Sequence, residues 1–387
     1  MTAGARPDDA RRHNRTALLR RLHLDGPSTR AVLATDLGLN RSTIKALVDG
    51  LAESGVVAER VPRKRTGAGR PSLLVLPQPL AAVVLAVDVR VEHVALAFAG
   101  LGGEMLGRNS WNHRGKTRHA DEVITHVIES ARVLAEELGV RMIAAGVSVP
   151  GVVRRSDGFV HEAPNLRWTD VPIGDRLGAA LGVPIRVGND AEIAALAEHL
   201  RGVARSSVDA VYVSADIGVG GGVISSGSIL SGHAGYLGEL GHMAVNPAGR
   251  DCYCGSRGCW ETEIGEVALC RALGLPDGSP RGAVVAELRT LAARPADTEQ
   301  RLGEFTEWLT IGLVNVVNAF SPELVVLGDL FTALPASIVA GVEEALTRRS
   351  LVSRAVGGTR VRSSTMGADV KLIGAAELAF DSVLGTV

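Results

Sequence analysis

Residues 209–227 read DAVYVSADIGVGGGVISSG. An apolar run ends on Asp216, the chain turns through glycine, and a second apolar run returns. The same arrangement occurs earlier: AVVLAVD (82–88) closes on Asp88, and HVALAFA (93–99) comes back. A strand–Asp–turn–strand unit met twice predicts an internal duplication, two similar lobes with a cleft between them, a favoured place for a small ligand. Around these units strand and helix patterns alternate. Residues 121–138 form an amphipathic helical pattern, MIAAGVSVPG (142–151) a buried strand, and IRVGN (185–189) another. AEIAALAEHLRG (191–202) and LGEFTEWLTIGLVNVVNAF (302–320) are helical, and ELVVLG (323–328) returns to strand. Such alternation argues for an α/β body with sheets covered on both faces.

The chain has 387 residues, 46% apolar and 21% charged, enough for two or three packed domains and a poor match to disorder. No apolar stretch approaches the ~18–20 residues of a membrane helix, and no apolar run follows the basic start. The expectation is a cytoplasmic protein with no membrane partner. Its net charge of −1 hides an asymmetry. Residues 1–75 hold 14 Arg/Lys against 7 Asp/Glu, a net of +7, and the remainder 27 against 35, a net of −8. A basic head on an acidic body is the pattern of a nucleic-acid-binding module fused to a different domain.

The head reads as helical three times. Leu18, Leu19 and Leu22 recur at helical spacing before Asp25-Gly26-Pro27 ends the run. Ser28 or Thr29 caps a second short helix, with Gly38 as the turn behind it. Asn40 or Ser42 caps a third, striped with Ile44, Leu47, Val48 and Leu51. This is a helix-turn-helix, whose last helix would present Arg41, Ser42, Thr43 and Lys45 to the major groove. Two short alternating runs, 56–61 and 72–76, then flank PRKRTGAGRP and read as a two-stranded wing. At its tip Arg63, Lys64 and Arg65 would track phosphates, and Arg70 would enter a narrow minor groove.

Taken together, GRP (69–71), GNDA (188–191), DIGVGGGVI (216–224), GELGHM (238–243) and CYCGSRGCWE (252–261) resemble the ROK family of the actin/hexokinase superfamily. The resemblance runs from about Arg12 to Gly374 and is strongest to the sugar-responsive repressor branch, like the xylose and N-acetylglucosamine repressors. It implies a winged helix-turn-helix over residues 1–78 and a two-lobed, actin/hexokinase-like sugar-binding and dimerisation domain over 79–387, with a zinc knot at 242–259. Cys252, Cys254 and Cys259 bring three thiolates into one short loop, and with the imidazole of His242 they make a tetrahedral shell suited to structural zinc. Cys270 reads as an ordinary helix residue. Carried over from the family, Asn189, Asp190, Glu239, His242 and Glu261 look like the hydroxyl-binding set, with Gly151 and Gly218 as backbone neighbours of the sugar.

In the kinases of this family Asp190 would be the general base, and it is present. Phosphoryl transfer also needs an intact nucleotide site. The family's kinases open with D-x-G-G-T; this chain has Asp88-Val89-Arg90-Val91-Glu92, placing bulk and negative charge where phosphate must approach backbone. Asp216 stands where the kinases usually carry Gly, although Gly220-Gly221-Gly222 of that phosphate turn survive, and Gly328-Asp329-Leu330 replaces a Gly-rich turn. The expectation is a regulator and not an enzyme. It would bind operator DNA and a sugar effector as a homodimer or tetramer, with Asp190 a vestigial base. The alternative is a ROK sugar kinase with a regulatory DNA-binding head, and a third reading is a constitutive DNA binder whose body only dimerises.

Overall fold

A computed structural model describes residues 7–61, 73–112 and 119–387. It divides into two compact units. The first holds the described residues up to Val147 with Pro172–Val187 and Ala375–Val387; the second holds Ser148–Val171 and Gly188–Gly374. No helix among the described residues is long and apolar enough to cross a membrane.

The head lies in the first unit. Its helices are Pro7–Asp25, Arg30–Asp36 and Arg41–Glu53. The hydroxyl of Thr29 caps the second by accepting from the Val32 N–H, and Asn40 caps the third by accepting from the Thr43 N–H at 2.8 Å. Between them Gly38 takes φ = 63°, a left-handed turn that glycine adopts at little cost. Leu18, Leu19, Leu22, Leu33, Ile44, Val48 and Leu51 close a small core. Strands Val57–Arg60 and Leu74–Pro77 pair antiparallel as the expected wing base. Ser28–Thr29 adds a third strand beside Leu74–Pro77, so Thr29 serves both as strand residue and as helix cap. Arg30 pins this assembly, bonding Asp49 of the third helix and Glu59 of the wing.

Each half of the body is built on a five-stranded sheet, and the two share one strand order. In the first, Val83–Val89 is central, with the antiparallel strands His93–Gly100 and Met105–Asn112 on one side and Ala144–Val149 and Ile185–Asn189 on the other. In the second, Ala210–Ala215 is central, with Val219–Ser225 and Ser228–Ile229 on one side and Leu324–Asp329 and Arg360–Ser363 on the other. The duplication read from 82–99 and 209–227 is therefore present at the level of topology. Two elements escaped the sequence reading. Met105–Asn112 is a largely exposed edge strand whose polar residues hide its alternation. Val152–Arg154, Phe159–Ala163 and Trp168–Val171 form a small antiparallel sheet in the second unit.

Gly220, Gly221 and Gly222 are not the phosphate turn; they lie inside strand Val219–Ser225, opposite Ser214, Val213 and Tyr212. Added Cβ atoms at Gly220 and Gly222 would stand 2.7 and 2.5 Å from the Cβ atoms of Ala191 and Ala195, and one at Gly221 would reach Leu240 at 2.4 Å. These glycines let helix Asp190–Arg201 and Leu240 pack closely on the strand. The turn itself is residues 216–218.

Candidate functional site

All seven expected sugar-site residues fall in the second unit. Asn189 ends strand Ile185–Asn189 and caps helix Asp190–Arg201, its Oδ1 accepting from the N–H groups of Ala191 and Glu192. Its amide nitrogen donates to the Gly151 carbonyl at 3.0 Å, so the cap also fixes the Gly151 turn, where φ = 124°. Glu261, in the first turn of helix Trp260–Ile264, accepts the Val219 N–H at 2.9 Å. A Cβ at Gly218 would lie 2.6 Å from that carboxylate, which explains the glycine. The Glu239 carboxylate is 3.9 Å from His242 Nε2 and within electrostatic reach of Asp190 and Glu261. Desolvation raises the carboxyls of Glu239 and Glu261, and the His242 imidazole opposes it in both. Asp190, Glu239, His242 and Glu261 thus gather at one place, with acceptors suited to hydroxyl groups.

Two further residues belong to this place and were not read from the sequence. Asn165 Nδ2 would sit 3.8 Å from a Cβ at Gly218, beside Glu261. It is held in the turn Pro164–Leu166, which Arg167 leaves with φ = 58°. The Tyr253 hydroxyl lies 3.0 Å from His242 Nε2, with the two rings edge to face. An isolated Asn in a Pro-Asn-Leu turn and a Tyr between two cysteines carry no periodic signal.

His242, Cys252, Cys254 and Cys259 present four ligand atoms within 4.8 Å of one another. His242 Nδ1 faces Cys252 Sγ at 3.6 Å, and Cys254 Sγ faces Cys259 Sγ at 3.6 Å. Tetrahedral zinc with Zn–S bonds of ≈ 2.3 Å would set sulfur pairs about 3.8 Å apart, so the spacing fits. Burial pushes the Cys259 thiol up to about 12 and raises Cys252, whereas the Ser256 N–H lowers Cys254. Buried thiols crowded this way give up their protons only to a cation held among them. Cys270 is buried in helix Glu266–Ala272, apart from the knot.

The residues expected on the phosphate side carry their own counter-ions. In the first unit Asp88 is 1% exposed, and Arg90 Nε folds back onto its Oδ2 at 2.5 Å. In the second, Lys371 Nζ lies 2.6 Å from Asp190, 3.3 Å from Asp329 and 3.6 Å from Asp216. Arg281 adds contacts to Asp216 at 2.9 Å and Asp329 at 3.6 Å. Asp329 keeps φ = 49°, a backbone state that favours glycine, consistent with its standing in a glycine turn. Lys371 and Arg281 were not read from the sequence. One signal was available, since only four of the 41 basic residues are lysine.

In the head, Arg41, Ser42 and Lys45 are exposed and Thr43 is half-buried at the start of the third helix. Ser42 Oγ donates to the capping oxygen of Asn40, and Lys45 pairs with Asp49 at 2.5 Å. Arg63, Lys64, Arg65 and Arg70 lie outside the described residues.

The Bacillus subtilis xylose repressor is 26% identical over 97% of this chain and 96% of its own length. A crystal structure of a ROK family transcriptional regulator, a homologue of the E. coli MLC protein, superposes with a TM-score of 0.78 at 22% identity, covering 97% of this chain and 98% of that one. The ROK hexokinase of Thermus thermophilus, 30% identical with a TM-score of 0.65, is 99% covered but accounts for only 78% of this chain. The model of the ROK family matches residues 84–382, and the chain belongs to that family.

Proposed function

We infer that this chain is a sugar-responsive, DNA-binding transcriptional regulator, a repressor of carbohydrate genes that performs no phosphoryl transfer. Residues 1–78 serve as the DNA-binding head and 79–387 as the sugar-binding and dimerisation domain. The observation that carries the reading is the head: a capped third helix that exposes Arg41 and Lys45 at its start, on a chain matched over 97% by a repressor and over 78% by a hexokinase. Asp190 supports the non-enzymatic half. A general base must be free to take the sugar proton, and here its Oδ2 is held by Lys371.

In this reading Asn165, Asp190, Glu239, His242 and Glu261 accept and donate to sugar hydroxyls, while Asn189 fixes the Gly151 turn. Zinc held by His242, Cys252, Cys254 and Cys259 supplies structural cross-linking, with no open position for chemistry. His242 then joins the two sites, one ring nitrogen facing the sulfurs and the other facing the hydroxyl-binding carboxylates. Sugar and operator alter each other's affinity by the same factor, typically ~5–150-fold, whether the working assembly is a homodimer or a tetramer.

A gel-shift titration of operator fragments with pentoses, hexoses and acetylated aminosugars tests this: one sugar class shifts the DNA affinity, and no change with any of them defeats the reading. The second reading, a sugar kinase with a regulatory head, draws on the presence of Asp190 and on the Thermus hexokinase. Coupled ADP release above ~1 s⁻¹ with the same sugars would establish it instead.

A further inference from the structure

Lys371 is the most deeply buried cation of the described residues, with its side chain 1% exposed. Lysine is strongly hydrated and is seldom fully buried unless paired. Its partners come from three separate elements. Asp190 opens the helix after Asn189, Asp216 follows strand Ala210–Ala215, and Asp329 ends strand Leu324–Asp329. Lys371 itself sits in the first turn of the C-terminal helix Val370–Val383. Three carboxylates converging on one point are the usual setting for a hard divalent cation, which takes oxygen ligands. Here an ammonium stands at that point.

The charges fit a substitution of one cation for another. Asp190, Asp216 and Asp329 bring three carboxylates together, Lys371 Nζ lies within 3.6 Å of all three, and Arg281 touches two of them. Asp329 keeps one carboxylate oxygen, 3.3 Å from Lys371, without a hydrogen-bond partner in the described structure. That geometry is an electrostatic contact more than a directed bond, as a replaced ion would leave.

We propose that Lys371 is a tethered counter-ion standing in a latent divalent-cation site, where its ammonium holds Asp190 in place with no metal ion. Lys371 is thus a positioning residue for Asp190, and it bars the metal-bound phosphate ligands that a three-carboxylate site would otherwise admit. The proposal deepens the regulatory reading above but does not need sugar or DNA for its test.

The experiment is Mn²⁺ binding to the zinc-loaded full chain, followed by electron paramagnetic resonance of free Mn²⁺ and by thermal melting. Wild type should take up no Mn²⁺ at sub-millimolar concentrations. Lys371→Ala should bind one Mn²⁺ per chain at least tenfold more tightly than wild type, and so should Lys371→Met, which keeps the volume of the stem. The double variant Lys371→Met with Asp329→Asn should lose that binding. If either single variant is destabilised, Mn²⁺ should raise its melting temperature and leave that of wild type unchanged. Wild type binding Mn²⁺ as tightly as the variants, or variants whose binding and melting ignore Mn²⁺, would overturn the proposal. A failed sugar titration with a positive Mn²⁺ result would defeat the regulatory reading alone.

Discussion

His23, in the first helix of the head, donates from Nε2 to the Glu377 carboxylate in the C-terminal helix at 3.1 Å. The Gly102 N–H donates to Nδ1 at 2.9 Å, so that nitrogen is an acceptor and the ring proton sits on Nε2. Both side chains are buried, and Phe380 packs on the imidazole with ring centroids 4.2 Å apart. The head is thereby fastened to the last helix of the chain by polar groups that water cannot replace. Glu377→Ala strands a buried donor, and an unmet buried polar group costs about 1–3 kcal/mol. We expect a loss of about 2 kcal/mol in urea unfolding, and a change below about 0.5 kcal/mol would show the contact to be incidental.

DNA binding should separate two neighbours on the third helix. Arg41 is exposed, whereas Lys45 already pairs with Asp49. Arg41→Ala should therefore reduce the slope of log affinity against log salt by about one, and Lys45→Ala by less. Anisotropy titrations on one duplex at several salt concentrations measure both. Equal slopes for the two variants would contradict the structure.

Asn165→Ala should weaken sugar binding by about 10–100-fold, the loss of one or two hydrogen bonds in a half-buried site. Its zinc content should not change, because Asn165 is not among the four ligand atoms. Calorimetry beside metal analysis separates the two effects, and undiminished affinity would remove Asn165 from the pocket.

Cys254→Ser should lower bound zinc from one per chain to well below half, and stripping the wild type with a chelator should reproduce its sugar response. Since His242 Nδ1 faces Cys252 and its Nε2 faces Glu239, metal loss should reach the sugar affinity as well. Retained stoichiometric zinc in the variant would refute the ligand assignment.

Glu192 gives a pH signature. Desolvation raises its carboxyl above the usual 4.5, opposed by Arg155 and by a bond from Ser231. The folded chain therefore binds the proton more tightly than the unfolded one. Stability from this group is complete below the unfolded value and is lost as pH rises from about 4.5 through the folded value. Glu192→Gln should flatten that part of the stability–pH curve and be relatively more stable at pH 7 than at pH 4.5. Parallel curves for the two proteins would rule out a contribution from Glu192.

Much of the architecture could be read one residue at a time. Leucine spacing, Thr29 and Asn40 as caps and Gly38 as the turn describe the head, because helix signals act within a few residues. The cysteine knot is legible for the same reason, its three sulfurs being confined by Gly255 and Gly258 to one loop. The doubled strand–Asp–turn–strand is local at each copy, and its topology followed.

What packing alone decided is where distant segments meet. Gly220–Gly222 look like a phosphate turn as a string, but helix Asp190–Arg201 lies so close that the strand there has no room for side chains. Lys371 follows Asp190 by 181 positions, and no periodicity relates them. Only the folded second unit brings Asp190, Asp216 and Asp329 around one ammonium, since the cost of burying charge is met by partners that neighbouring residues do not provide.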